Sequence, residues 1–170
     1  MFFEEHAKML ADFARVSQAA GARADYVQGG GGNTSVKLPG GLMAIKASGF
    51  CLSDIHPDQA YAVLDGADLR NFYLTTEPSE LADVEKEGSA RAKADVRHID
   101  GLADLRPSVE AGFHSILKTF VVHTHSVYAN LAACSTACRP IAAQAFAGAN
   151  YTWGWVPYTD PGANLTFAIR

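Results

Sequence analysis

Two histidines separated by one residue, His123 and His125, follow the apolar run Phe120–Val122. Phenylalanine and valine favour β-strands, and residues i and i+2 of a strand project to the same face. The spacing therefore predicts two imidazoles that point the same way from the end of a buried strand, close enough to share one ion. Such a pair supplies two ligands of a Zn²⁺-type catalytic site. The alternative is two histidines that hydrogen-bond to backbone at a strand end.

A glycine-rich turn, Gly29–Gly32, precedes Asn33, Thr34 and Ser35. Consecutive glycines allow positive φ and a close approach of backbone N–H groups to an oxyanion such as phosphate. One alternative is a dinucleotide-binding loop, but that loop needs G-x-G-x-x-G at the start of a helix, whereas β-branched residues follow here. The other alternative is a simple tight turn.

Two further segments carry groups that could bind an anion or move a proton. Ser48 and Gly49 end a predicted strand and offer a hydroxyl and an amide donor. A helix is predicted to open at Pro107, which would place Ser108 in its first turn, where free N–H groups and the helix dipole favour an anion. Glu110 is either a helix-start charge or a carboxylate that exchanges a proton with substrate.

The remaining pattern predicts the elements that hold these segments. Apolar spacing and turn residues indicate an opening helix over 2–20 with Gly21 as its C-cap, and strands over Asn33–Leu38 and Leu42–Ala47 joined by Pro39–Gly41. Further elements are predicted as a short strand over 61–64, a strand over 120–124, and helices over 127–134 and from Ala163. Residues 66–100 are interpreted as a surface excursion with one exposed helix.

Composition narrows the class of protein. The chain has 170 residues, 48% hydrophobic and 19% charged, with a net charge of -4, which is typical of one globular domain without a basic surface for nucleic acid or membrane. No leader or bilayer-spanning run is visible, and three cysteines do not indicate a disulfide framework, so a cytoplasmic location is predicted. Cys134 and Cys138 are expected to be small buried residues.

The sequence also predicts the extent of the domain. Because the last predicted helix has barely begun at Arg170, we expect a single domain over 1–170 that is incomplete at its C-terminus.

Taken in their order along the chain, the motifs of this sequence resemble those of the class II aldolase/adducin family. The matching segments are Gly32–Ser35 (a Gly-Asn-x-Ser turn), Ser48–Gly49 (a phosphate loop), Pro107–Glu110 (Pro-Ser-x-Glu), Val121–Ala129 (a strand ending His-x-His-Ser-x-Tyr-Ala) and Val156–Gly162 (Pro-Tyr-x-x-Pro-Gly). The resemblance implies an α/β fold of three layers, with a central, mostly antiparallel sheet flanked by helices on both faces.

The resemblance also implies roles for single residues. His123 and His125 would be two of three histidine ligands of a divalent metal, typically Zn²⁺, the third lying beyond Arg170. Glu110 would be the catalytic acid/base. The phosphate of the substrate would be bound by Gly32, Asn33, Thr34, Ser48, Gly49 and Ser108.

The chemistry implied is a metal-stabilised enediolate, which lets a carbon–carbon bond break without a Schiff-base lysine. Lys46 is therefore expected to be a solvated or loop residue. His6, His56 and His98 are also expected to be solvated, whereas His114 is expected to be a hydrogen-bonded structural residue. Val109 stands where sugar-phosphate aldolases commonly have a second serine.

The activity implied is that of a class II aldolase of carbohydrate metabolism, an aldehyde-lyase that cleaves a short sugar phosphate or related hydroxy-carbonyl compound. A cytoplasmic homotetramer with active sites between subunits, and no nucleic-acid or membrane partner, is expected. Alternatives with the same chemistry are a ribulose-phosphate 4-epimerase and a thioribulose-phosphate dehydratase. An adducin-like interaction domain without catalysis is the alternative from another class.

Overall fold

The computed structural model describes residues 1–170 as helices around one five-stranded sheet. The strands are β1 (Asn33–Lys37), β2 (Leu42–Lys46), β3 (Tyr61–Asp65), β4 (Val96–Arg97) and β5 (Phe120–His123). The helices are α1 (Phe2–Glu5), α2 (Ala7–Gly21), α3 (Gly66–Thr75), α4 (Val84–Ala94), α5 (Ala111–Ile116), α6 (Val127–Ala133), α7 (Cys138–Ala145) and α8 (Ala163–Ile169). None of these helices combines the length and apolarity needed to cross a bilayer.

The sheet has the order β4-β3-β2-β1-β5, and every neighbouring pair is antiparallel. The predicted hairpin of β1 and β2 is confirmed, with Ser35 opposite Ile45. Its connection contains Gly40 and Gly41 at φ 75° and 81°, a region that residues with a Cβ rarely occupy. On its other side β1 pairs with β5, which puts Asn33 opposite His123.

Alternate side chains of the strands point to opposite faces of the sheet and pack into two separate hydrophobic cores, one on each face. On one face, α2 packs its apolar stripe against the sheet, and this core includes Leu10, Phe13, Val36, Ala44 and Val63. The opposite face is covered by α3, α4, α5 and α8, and its core includes Met43, Ile45, Leu64, Leu69 and Tyr73. The predicted three-layer arrangement, with helices on both faces of an antiparallel sheet, is confirmed.

The prediction of a surface excursion over 66–100 is wrong. This segment forms α3, α4 and the edge strand β4, and it covers much of one face of the sheet. Leu69 and Tyr73 are 0% and 2% exposed. They lie four residues apart on α3 and so share one helix face, but the many charged residues between Glu77 and Arg97 hide this short apolar stripe in the sequence.

The helix predicted from Pro107 starts four residues later, at Ala111. Pro107 instead forms an isolated antiparallel bridge with Ala47, which holds the chain extended at the end of β2. Ser108 therefore precedes α5, and its predicted place in the first helical turn is wrong. Glu110 is the N-cap residue of α5.

Four smaller expectations are also wrong. Gly21 is the last residue of α2 rather than its C-cap, and it is needed for close packing, because a Cβ there would lie 2.7 Å from the backbone nitrogen of Ser53. His6 is buried and packs edge-on against the ring of Phe2. Cys134 is exposed and Cys138 only half-buried.

Candidate active site

Three of the side chains singled out by the sequence, those of Asn33, Glu110 and His123, meet where β1 begins and β5 ends. Because Asn33 and His123 are opposed in the β1–β5 ladder, their side chains share one face of the sheet. The N-cap of α5 lies on that face and brings in Glu110. Its Oε2 lies 3.1 Å from Nδ1 of His123 and also accepts a long hydrogen bond of 3.5 Å from Nδ2 of Asn33. Three elements distant in sequence thus contribute one polar cluster.

His114 is a further member of this cluster. It is fully buried, its Nδ1 lies 2.8 Å from Oγ of Ser35, and its Nε2 has no hydrogen-bond partner. One potential ligand atom each from Glu110, His114 and His123 lies within 4.8 Å of the other two. The expected hydrogen bond of His114 is present, but its place beside Glu110 and His123 was not foreseen. The four-residue spacing of Glu110 and His114, which puts them on one helix face, is the signal that could have found it.

His125 lies just outside this group of three. β5 ends at His123 rather than at residue 124, so the strand alternation behind the prediction does not extend to His125. Its ring centroid is nevertheless 4.9 Å from that of His123, and its side chain is exposed. The two imidazoles are therefore neighbours, one half-buried and one facing solvent.

The electrostatics favour the ionised carboxylate of Glu110 and the neutral imidazoles of His114 and His125. Burial raises the pKa of Glu110, but the contacts of its carboxylate with His123 and Asn33 outweigh burial and hold that pKa below its ordinary value. Burial lowers the pKa of His125, and it lowers that of His114 well below the usual range. Deprotonated carboxylate and neutral imidazole are the forms that coordinate a divalent cation. A carboxylate on one ring nitrogen of a histidine also leaves the other nitrogen for a metal, so the donor set fits such an ion.

The glycine-rich turn lies directly against the histidine segment. A Cβ on Gly31 would lie 2.9 Å from Nδ1 of His125, and one on Gly32 would lie 2.9 Å from the carbonyl oxygen of His123. Gly32 also has φ +72°. Thr34 is not brought to this cluster, because its side chain faces the other side of the sheet, with Oγ1 2.7 Å from Oγ of Ser17.

The remaining predicted anion-binding residues form a second group beside the cluster. Ser48 donates its N–H to the carbonyl of Arg106 over 2.9 Å, and Nη2 of Arg106 donates to Oγ of Ser48 over 3.0 Å. Oγ of Ser108 accepts the N–H of Glu110 over 3.2 Å. Gly49, at φ +92°, makes the turn after Ser48. Segment 106–110 thus links this group to the carboxylate of the cluster.

The expectation that Lys46 is solvated is wrong. Lys46 is only 4% exposed. Its ammonium donates one hydrogen bond of 2.7 Å to the carbonyl of Phe50 and one of 3.3 Å to the carbonyl of Gly30. Burial lowers its pKa, while the negative charge of nearby carboxylates, Glu110 among them, acts in the opposite direction. Lys46 therefore joins the glycine-rich turn to the turn that carries Gly49. Nothing in its local sequence distinguishes it from a strand-end lysine in solvent.

Comparison with known proteins identifies the family of this chain. Residues 11–169 match the family described as Class II Aldolase and Adducin N-terminal domain, and the chain belongs to that family. Comparison with curated protein sequences gives no match.

Three solved structures share the fold. The N-terminal class II aldolase domain of a protein from Thermoplasma acidophilum is similar, with a TM-score of 0.76 and 21% identity over 92% of this chain and 71% of that one. YgbL from Klebsiella pneumoniae carries the provisional name aldolase/epimerase/decarboxylase. It has a TM-score of 0.51 and 18% identity, and the match covers 77% of this chain and 50% of YgbL. YgbL from Escherichia coli, which is named in the same way, has a TM-score of 0.50 and 19% identity, and the match covers 76% of this chain and 49% of that one. The chain thus spans about half the length of the two YgbL proteins.

Proposed function

We propose that this domain is a metal-dependent aldolase, an aldehyde-lyase that cleaves a short sugar phosphate or a related hydroxy-carbonyl compound. The observation that carries the proposal is the contact of Glu110 with His123, beside the buried imidazole of His114. Burying a carboxylate and an imidazole with a free nitrogen costs free energy unless a partner satisfies them. A bound cation and an oxygen-rich substrate would be such partners.

In this proposal His123 and His125 would hold a divalent cation such as Zn²⁺, and the buried imidazole of His114 lies within reach as a further donor. A cation bound there would supply Lewis-acid polarisation of the carbonyl and hydroxyl oxygens of the substrate, which would stabilise the enediolate that cleavage produces. Asn33 restrains Glu110 through its amide. The glycine-rich turn, which packs on the histidine segment, closes one side of the site.

Glu110 is the proposed acid/base. During cleavage the hydroxyl beside the scissile bond loses its proton to solvent and becomes an aldehyde, while the electrons of the carbon–carbon bond pass to the carbon next to the carbonyl group. Glu110 delivers a proton to that carbon and is reprotonated from solvent; in the reverse reaction it removes that proton. The depressed pKa of Glu110 suits the reverse direction, because the resting carboxylate is then the base.

Epimerase and dehydratase activities remain alternatives because they begin with the same polarised carbonyl and the same acid/base. The provisional name of the YgbL proteins covers a comparable range. A cytoplasmic homotetramer is proposed for the whole protein. An adducin-like interaction domain is disfavoured, since docking another protein gives no role to a buried imidazole with an unpartnered nitrogen.

Metal binding is the first test. We expect the purified protein to hold one Zn²⁺ per chain after dialysis, measured by inductively coupled plasma mass spectrometry, and His123→Ala to lose it. His56→Ala, which removes an exposed histidine outside the cluster, is the matched control and should retain the ion. Ketose phosphates are then screened for aldehyde release. A wild-type protein that binds no divalent cation and releases no aldehyde would contradict the proposal.

A further inference from the structure

Nε2 of His114 is a buried polar atom without a partner beside the proposed acid/base. The residue is 0% exposed, and its side chain makes one hydrogen bond, between Nδ1 and Oγ of Ser35 over 2.8 Å. Nε2 is buried and has no hydrogen-bond partner. Such an atom is uncommon in folded proteins because it costs free energy. This nitrogen is therefore a candidate for a functional role.

The carboxylate of Glu110 lies close to the imidazole of His114. The two residues are four apart at the start of α5, where the N–H of His114 donates to the carbonyl of Glu110 over 3.3 Å, so their side chains share one face. A ring nitrogen of His114 and a carboxylate oxygen of Glu110 lie within 4.8 Å of each other. Because Nδ1 is bonded to Ser35, Nε2 is the nitrogen left for that carboxylate.

The carboxylate has an oxygen to spare for this contact. Its hydrogen bond from Asn33 and its contact with His123 are both made by Oε2, and Oε1 has no partner. Each carboxylate oxygen has two lone pairs. A further N–H on Oε1 therefore still leaves Glu110 able to exchange a proton with substrate.

The charge of Glu110 favours one tautomer of His114. A neutral imidazole carries one N–H, and the hydroxyl of Ser35 can either donate to Nδ1 or accept from it. A proton on Nε2 puts a donor beside the ionised carboxylate, whereas a proton on Nδ1 puts the lone pair of Nε2 beside another acceptor. The first arrangement is favoured, since electrostatic interactions are strong in a buried site. A cation ligand would need the opposite tautomer.

The imidazole is fixed, whereas the carboxylate can turn. Ser35 holds Nδ1 of His114, and the ammonium of Lys37 donates to its backbone carbonyl. Glu110 is the N-cap residue of α5, and its side chain is 14% exposed. A rotation of the carboxylate would therefore close the gap to Nε2. Catalytic hydrogen bonds are often long in the resting enzyme and shorten when substrate binds.

We infer that His114 is a positioning residue, whose Nε2–H donates to the carboxylate of Glu110 when substrate is bound and fixes that carboxylate for proton transfer. This inference rests on the proposed function, because it assigns His114 to the acid/base of that reaction. His123 and His114 would then hold the two oxygens of one carboxylate, and the proton on Nε2 would exclude His114 as a ligand of the cation.

The first test reads the tautomer of His114 by NMR. Two-bond ¹H–¹⁵N correlation spectra of the isotope-labelled wild type distinguish a proton on Nε2 from one on Nδ1, and the six histidines of the chain give few signals to assign. We expect His114 in the Nε2–H form, both without and with added Zn²⁺. The Nδ1–H form, or loss of the proton from Nε2 on addition of Zn²⁺, would overturn the inference.

The second test compares His114→Asn with His114→Gln. Asparagine keeps a polar group near the position of Nδ1 and removes the Nε2 donor, whereas the amide of glutamine reaches the position of Nε2. On a ketose phosphate that the wild type cleaves, we expect kcat of His114→Asn to fall about tenfold or more, as for the loss of a hydrogen bond to a charged group. KM and Zn²⁺ content should not change, and His114→Gln should recover part of the lost kcat.

His6→Asn is the matched control. His6 is also buried with an unpartnered ring nitrogen, but it caps α2 and lies outside the polar cluster. We expect this variant to lose thermal stability and to keep the kcat of the wild type. The NMR test needs no variant and decides the matter even where a substitution of His114 prevents folding.

The outcomes separate the inference from the proposed function. Unchanged kcat in His114→Asn, or loss of Zn²⁺ from it, would overturn the inference while aldehyde release by the wild type leaves the proposed function standing. A wild type that binds no divalent cation and releases no aldehyde would overturn both, whichever nitrogen of His114 carries the proton.

Discussion

Oε2 of Glu110 and Nδ1 of His123 lie 3.1 Å apart, although one residue precedes α5 and the other ends β5. The contact joins the helical layer to the edge of the sheet, and Asn33 on β1 approaches the same carboxylate oxygen. A carboxylate held in this way is orientated and kept ionised. Its removal should therefore affect chemistry more than folding.

Glu110→Gln is expected to lower kcat by at least about a hundredfold while Zn²⁺ stays bound, because the amide keeps the size of the side chain but cannot carry the proton. Turnover of a cleaved ketose phosphate and metal content are measured on the same preparation. Glu80→Gln, at an exposed position, is the control. Unchanged kcat in Glu110→Gln would exclude Glu110 as the acid/base.

Gly32→Ala is expected to lower the free energy of unfolding by about 2 to 5 kcal/mol, as it combines a left-handed backbone with overpacking. The added methyl would meet Cγ1 of Val27 at 2.6 Å and the carbonyl of His123 at 2.9 Å. Gly29→Ala is the matched control, since Gly29 has φ +53° but a methyl group added there would have nothing within 4 Å; it should cost only about 1 to 2 kcal/mol. Urea unfolding measures both. Equal losses would show that the contact with the histidine segment does not matter.

Lys46→Met is expected to cost about 1 to 3 kcal/mol, because it leaves the carbonyls of Gly30 and Phe50 without their buried donor. The two turns should also loosen, and faster amide hydrogen exchange around Gly30 and Phe50 would report this. Lys8→Met removes an exposed lysine that pairs only with Asp12 and should change stability by less than about 1 kcal/mol. If the two variants were equally stable, Lys46 would not be joining the turns.

Because the pKa of Lys37 is lowered in the folded protein, we expect the free energy of unfolding to depend on pH in the alkaline range. Burial, together with the charge of Arg70, lowers its pKa from 10.5 to about 8, and its ammonium donates to the carbonyls of His114 and Lys118. Below pH 8 both folded and unfolded chains hold the proton. Between about 8 and 10.5 the unfolded chain binds more protons, so this group makes stability rise with pH, by at most about 1.4 kcal/mol per unit.

The measurement compares urea unfolding of the wild type and Lys37→Met at pH 7.5 and pH 9.5. Other groups that titrate in this window affect both proteins alike, so the difference between their pH slopes isolates Lys37. The wild type should gain more stability, or lose less, than the variant as the pH rises. A variant with the same slope would show that Lys37 keeps its ordinary pKa in the folded protein.

Local sequence patterns were sufficient for four of the five strands and for the segments of the site, whereas β4 was missed. The hairpin of β1 and β2 was predicted because alternation and a Pro-Gly-Gly turn act over a few residues. His123, His125 and Glu110 were singled out in the same way, since each lies in a short sequence motif; their roles in metal binding and proton transfer stay predictions. The family resemblance was confirmed over residues 11–169.

Contacts between distant segments decided the rest. The register of β1 against β5 and the late start of α5 bring Asn33, Glu110 and His123 together, and they turn Thr34 to the opposite face. Packing of α3 on the sheet buries Leu69 and Tyr73 within a segment whose composition is typical of a surface. Lys46 is buried by two turns that meet only in the folded chain. A periodic pattern records which face of an element is apolar, but the partner of that face, and the burial of a charge at its end, depend on how the layers pack.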